Sequence, residues 1–123
     1  MTVGAALDYA RARLHRPIEI GALASRSAMS GRTFLRKFKG SVGMTPNAWL
    51  QAERMARARE LLESTPMRLA DVATQCGYDS PETFRRAFRR LVGVAPGAYR
   101  ARFDARGANG QARNAEPAAR ASR

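Results

Sequence analysis

At 123 residues, with 45% apolar content and nine aromatic side chains, the chain suits a single domain with a modest core and implies no catalytic cleft of ordinary size. Its 22 Lys and Arg against 10 acidic residues leave a net charge of +12, which points to a polyanionic partner or a membrane surface. One cysteine, Cys76, rules out an intramolecular disulfide and a cysteine-rich zinc site. With no apolar run of about 18 residues and no signal-peptide pattern, the expectation is a soluble, cytoplasmic protein without metal or cofactor.

Ala5 to Leu14 reads as a first helix, with Ala6, Leu7, Ala10 and Leu14 on one side and Asp8, Arg11 and Arg13 elsewhere. Pro17 ends it, and the lone His15 marks the helix end rather than a metal or catalytic site. A second helix starts at Ile20, carried by Ile20, Leu23 and Ala24. Ser30 is a good N-cap for a third that runs to about Val42, with Phe34, Phe38, Ser41 and Val42 inward and Arg32, Thr33, Arg36, Lys37 and Lys39 outward. Thr45 as cap and Pro46 at the first helical position then open one long helix to Ser64. Its Ala48, Trp49, Ala52, Met55, Ala56 and Leu62 form a wide stripe with Leu50 and Leu61 on the far side, as expected of a helix that touches two neighbouring subdomains.

From Leu69 the apolar residues Leu69, Val72, Ala73 and Cys76 keep the spacing of one helical face, and Gly77, able to take positive φ, stops the helix. Cys76 on that face is a small core residue. Asp79 or Ser80 as N-cap, Pro81 in the first turn and the acidic Glu82 signal the next helix. Its buried side is Phe84, Ala87, Phe88 and Leu91. That leaves Glu82, Arg85, Arg86, Arg89 and Arg90 to meet solvent or a phosphate-lined groove, and the pair of helices reads as a helix-turn-helix. After Phe103 periodicity is lost, and Asp104 to Arg123 reads as a disordered basic tail.

The two helix pairs repeat. Leu23-Ala24 matches Val72-Ala73 and Ala28-Met29 matches Gly77-Tyr78; after one inserted residue, Thr33-Phe34 matches Thr83-Phe84, Arg36 matches Arg86, Phe38 matches Phe88, Gly43 matches Gly93, Pro46 matches Pro96 and Trp49 matches Tyr99. A repeat this regular means two copies of one supersecondary unit. The first copy has Ala28 where the second has Gly77, so its turn is made without a glycine or with some strain.

The second copy resembles the second helix-turn-helix of the AraC/XylS family of bacterial transcription regulators. Ala73, Gly77, Tyr78, Ser80, Phe84, Arg86, Phe88, Arg89, Arg90, Gly93, Pro96, Tyr99 and Arg100 fall at the family's fixed spacings, and Arg54, Ala58, Leu61 and Leu62 are spaced as in its linker helix. Ala95 departs from the pattern, which has a hydroxyl residue before the proline, so the last helix is expected to fray at a cost of ~1 kcal/mol. The resemblance covers about Ala5 to Phe103. It implies an all-α, homeodomain-like fold of about seven helices over residues 1–103, with a first helix-turn-helix at about 20–42, a linker helix at about 45–64 and a second helix-turn-helix at about 69–92, followed by the tail over 104–123.

In such a fold the second helix of each pair lies in the DNA major groove, where each base pair shows its own edge pattern. The resemblance places base contacts at Gly31, Arg32, Thr33, Leu35 and Arg36 and at Pro81, Glu82, Thr83, Arg85 and Arg86. The residues themselves support a narrower reading. Arg32, Arg36, Arg85 and Arg86 are forked donors suited to guanine or phosphate, Glu82 can accept from a cytosine amine, and Thr33 and Thr83 can touch thymine methyls. Lys37, Lys39, Arg89, Arg90 and Arg100 suit phosphate. A rigid linker would hold the two helices roughly 34 Å apart, one duplex turn, which predicts an asymmetric site of about two turns.

The competing reading is a helical interaction module whose basic face binds an acidic protein such as RNA polymerase. An enzyme is not expected: repair proteins that couple this family's domain to a methyl-accepting cysteine use cysteines outside it, and Cys76 sits at a core position. RNA readers need an exposed aromatic platform, which is missing. The resemblance implies double-stranded DNA and RNA polymerase as partners, and a sensor or dimerisation domain beside this one, so the chain is expected to be either a short stand-alone regulator or the carboxyl-terminal piece of a longer one.

Overall fold

Capping residues and apolar spacing divide the described residues, 2–104 of this computed structural model, into seven helices with no strand among them. These are α1 (Val3–Arg11), α2 (Ile20–Arg26), α3 (Gly31–Val42), α4 (Pro46–Ser64), α5 (Leu69–Gln75), α6 (Pro81–Val92) and α7, over residues 96–104. This is the all-α, double helix-turn-helix arrangement expected. Asp104, read above as the first residue of the tail, is helical, and 105–123 lie outside the described residues. The chain divides within α4, between Arg54 and Met55, into two compact units.

In the first unit, Ala6, Ala10, Leu14, Leu23, Ala24, Phe34, Phe38, Trp49 and Leu50 form a single core. Phe38 stands at its centre, with its ring 5.7 Å from Phe34 and 5.9 Å, edge-on, from Trp49. α1 stops at Arg11, short of the expected Leu14, and continues as turns through His15, which is exposed. In the second unit the core is Met55, Ala58, Leu62, Val72, Ala73, Cys76, Phe84, Ala87 and Phe88. A chain of rings runs from Tyr78 through Phe84 and Phe88 to Tyr99, with centroids 5.5–5.7 Å apart. Cys76 is fully buried there.

Both helix pairs turn in the same way. At the end of α2 the Ala28 N–H donates to Ser25 O and the Met29 N–H to Ala24 O; at the end of α5 the Gly77 N–H donates to Thr74 O and the Tyr78 N–H to Ala73 O. This is the Schellman arrangement, and its hinge residue must be left-handed. Gly77 takes φ +84° without strain, whereas Ala28 is forced to φ +57°. Ala28→Gly is therefore expected to stabilise the first unit by up to ~1 kcal/mol, because relief of the Cβ clash exceeds the extra entropy glycine lends the unfolded chain. Thermal denaturation of the variant measures this, and a lower midpoint would show that the alanine is not strained.

Several inward assignments need correction. Leu91, expected in the core, is 48% exposed, and Ser41, at the equivalent position of α3, is exposed too. In each last turn it is the next residue, Val42 or Val92, one turn on from Phe38 or Phe88, that packs against the core, and residues 41 and 91 are turned away from it. In α4 the expected single stripe does not exist. Trp49 and Leu50 are buried in the first unit and Met55, Ala58 and Leu62 in the second, while Ala48, Ala52 and Ala56 are exposed. One helix serving two cores changes its buried face along its length.

The structure also extends the repeat upstream of Leu23. Ala10 and Leu14 serve the first core as Ala58 and Leu62 serve the second, and both segments end without a glycine, leaving open carbonyls. In each unit an arginine from a later helix closes them. Arg54 donates to Leu14 O and Arg16 O, and Arg100 donates to Leu62 O, Thr65 O and Met67 O. Arg54 is buried in the first unit, so its charge is held there with these carbonyl bonds.

Candidate nucleic-acid interface

α3 and α6 are built alike. Ser30 Oγ accepts from the Thr33 N–H at 3.1 Å and Ser80 Oγ from the Thr83 N–H at 3.2 Å, so each helix starts on a satisfied cap; of the two expected caps for α6, Ser80 is used. Each serine hydroxyl also donates to the threonine hydroxyl, which keeps its own proton, so Thr33 and Thr83 can offer a base either that O–H or the methyl. Gly43 at φ +88° and Gly93 at φ +100° end the two helices in the same left-handed cap.

Phe34 and Phe38 in α3, and Phe84 and Phe88 in α6, are buried one turn apart and fix the rotation of each helix about its axis. The residues they turn outward are Arg32, Leu35, Arg36, Lys37 and Lys39 in α3 and Glu82, Arg85, Arg86, Arg89 and Arg90 in α6, all exposed. Arg32, Leu35, Arg36 and Lys39 share one face by their i, i+3, i+4, i+7 spacing. Glu82, Arg85, Arg86 and Arg89 repeat it in the second unit.

Among the described residues, Arg32, Arg36, Lys37, Lys39, Arg86, Arg89 and Arg90 have no ion-pair partner. Arg85 meets Glu82 at 3.9 Å, an exposed pair worth at most ~1 kcal/mol that a stronger anion can displace. Exposed, unpaired cations along one helix face cost self-repulsion that a polyanion relieves.

Arg100 does not belong to this set. It is half-buried, and its guanidinium donates to Leu62 O in the last turn of α4 and to Thr65 O and Met67 O just beyond that helix. The preceding Tyr99 hydroxyl donates to the Glu63 carboxylate, so the start of α7 is tied to the end of α4. The sequence signal for this role is the end of α4 itself, Glu63-Ser64-Thr65-Pro66, which offers no glycine to cap it. Two further arginines that the sequence left unassigned are held in place: the Arg13 and Arg26 guanidinium carbons lie 3.7 Å and 4.5 Å from the Tyr9 ring centroid. Among the described residues there is no group of three His, Cys, Asp or Glu side chains able to hold a metal ion, and no helix is long and apolar enough to cross a membrane.

Two glycine-type turns, each followed by a capped helix with an exposed basic face, define a tandem helix-turn-helix domain of the DNA-binding class. The helix-turn-helix domain family of the AraC type matches residues 23–102, and the chain belongs to that family of transcription regulators. It is 43% identical over 84 residues to the HTH-type transcriptional regulator Rv1931c of Mycobacterium tuberculosis, a match covering 68% of this chain and 32% of that protein. It is 33% identical over 91 residues to the transcriptional activator RhaR of Klebsiella pneumoniae, covering 74% of this chain and 32% of RhaR. Among solved structures it is similar to the DNA-binding domain of AdpA in complex with a target DNA, with a TM-score of 0.81, 38% identity and coverage of 85% of this chain and 94% of that one. It is also similar to an AraC-type regulator from Chromobacterium violaceum, with a TM-score of 0.75, 26% identity, and coverage of 82% and 90%. The chain spans about a third of the length of these curated relatives.

Proposed function

We propose that this chain binds double-stranded DNA in a sequence-dependent manner and, as part of a bacterial transcription regulator, controls the genes next to its site. The observation that carries the reading is the duplicated exposed face, Arg32-Leu35-Arg36-Lys39 in α3 and Glu82-Arg85-Arg86-Arg89 in α6, set on helices whose rotation the paired phenylalanines fix. A face of this length, about 10 Å from first to last residue, matches the stretch of a helix that a major groove admits. The likeness to a domain solved with its target DNA supports the same reading.

In this reading α3 and α6 enter successive major grooves, and one chain covers an asymmetric site of about two turns. Arg32, Arg36, Arg85, Arg86 and Glu82 address base edges, while Lys37, Lys39, Arg89 and Arg90 hold phosphates. A sensor or dimerisation domain and RNA polymerase are the further partners proposed, because the family's longer members have room for the first and transcription control needs the second. The setting is the cytoplasm, where the nucleoid lies.

Fluorescence anisotropy with duplex DNA across a salt series tests it. Affinity should fall steeply with salt, and Arg89→Ala or Lys39→Ala should weaken binding to every duplex alike while lowering the salt slope by about one, since a phosphate contact carries no sequence information. Loss on one operator only would mean that these residues read bases. No binding to any duplex would return the basic faces to the protein-interaction reading.

A further inference from the structure

The two outward faces are copies, and they agree at only half of their positions. Arg36 and Arg86 are the same residue, and Lys39 and Arg89 are both cations; but Arg32 stands where the second copy has the acidic Glu82, and Leu35 stands where it has Arg85. Positions that keep their charge can do the same work in both units. Those that change must meet different chemistry.

Leu35 is the informative one. Its neighbour Phe34 is fully buried, whereas Leu35 is 45% exposed and flanked on its own face by Arg32, Arg36 and Lys39. It is not among the side chains that pack on the first unit's core, and its side chain has no donor or acceptor. An apolar side chain among cations that face a polyanion gains only if something apolar meets it there, and in the major groove the apolar group at a base edge is the thymine C5 methyl. At the equivalent position Arg85 carries a forked donor, whose match is the O6 and N7 pair of guanine. Its exposed contact with Glu82, 3.9 Å away, lies on the same face and is weak enough to give way to a base edge.

Resting on the DNA-reading function above, we infer that the two half-sites differ in base chemistry at one equivalent position: the half-site of α3 carries a thymine against Leu35, and the half-site of α6 a guanine against Arg85. The repeat in the protein is thus read out as a non-repeating operator.

Selection of bound duplexes from a random pool, run with the parent, Leu35→Arg and Arg85→Leu, tests this. Leu35→Arg should change the selected base at one position from thymine to guanine, and Arg85→Leu should make the reverse change in the other half-site, each by roughly 5- to 150-fold. A second measurement alters the DNA. Deoxyuridine in place of that thymine removes only the methyl, and should weaken the parent about threefold to fivefold while leaving Leu35→Ala unaffected. If Leu35→Arg leaves the selected bases as they were, or if deoxyuridine binds as well as thymine, the inference is overturned while DNA binding stands. If the parent selects no sequence from the pool, the DNA-reading function fails and the inference with it.

Discussion

Phe88→Ala should destabilise the second unit by ~3–5 kcal/mol, and Phe38→Ala the first by a similar amount. Both rings are essentially free of solvent, and each is the shared neighbour of two other aromatics: Phe34 and Trp49 around Phe38, Phe84 and Tyr99 around Phe88. Truncation removes the buried ring and its edge-to-face contacts and leaves a cavity that the α-helical backbone around it cannot close. Each core is small, nine buried residues, and total stability for a domain is only about 5–15 kcal/mol, so a loss of this size brings the unit close to unfolding. Urea denaturation followed by circular dichroism measures it. A variant that melts like the parent would mean that the ring is dispensable to packing and that the rotation of the helix above it is set by something else.

Arg36→Ala and Arg86→Ala should each cost ~1–3 kcal/mol of DNA affinity and relax preference at one or two base pairs, in different half-sites. The two residues occupy equivalent positions of equivalent helices, both are exposed, and neither has an ion-pair partner among the described residues. Nothing internal has to be broken for them to reach a base, and nothing internal is lost when they are removed. The folded stability of both variants should therefore match the parent, which separates this result from that of the phenylalanines. Random-duplex selection decides it. Changes at the same base pairs in both variants would show that α3 and α6 do not occupy separate groove segments, and no change in either would make both arginines phosphate contacts of the same kind as Arg89.

Much of the domain was legible before any coordinates because its signals are local. Ser30 and Ser80 cap helices whose first free N–H groups lie within three residues, Gly77 answers a turn that needs positive φ at one position, and Phe34-Phe38 and Phe84-Phe88 declare an inward face by a spacing of one turn. The exposed basic faces followed directly, since the residues left over on an anchored helix have nowhere else to point. The same locality misled at the helix ends. Leu91 and Val92 both keep a helical spacing from Phe88, and which of the two meets the core beneath the last turn is not written in the spacing.

By itself the sequence determined the number and order of the helices, the net charge of +12 and the faces of α3 and α6, which depend on composition or on residues within about one or two turns of each other, and the duplication, which shows because each copy carries those local signals at the same spacings. Only the tertiary structure decided how α4 is shared between two cores, that Ala28 accepts a left-handed conformation so that its turn can match the glycine turn, and that Arg100 closes a helix end. The reason is distance along the chain. The carbonyls that Arg54 and Arg100 satisfy lie 33 to 40 residues away, and a guanidinium is equally suited to a phosphate or to a set of open carbonyls until the fold brings one of them within reach.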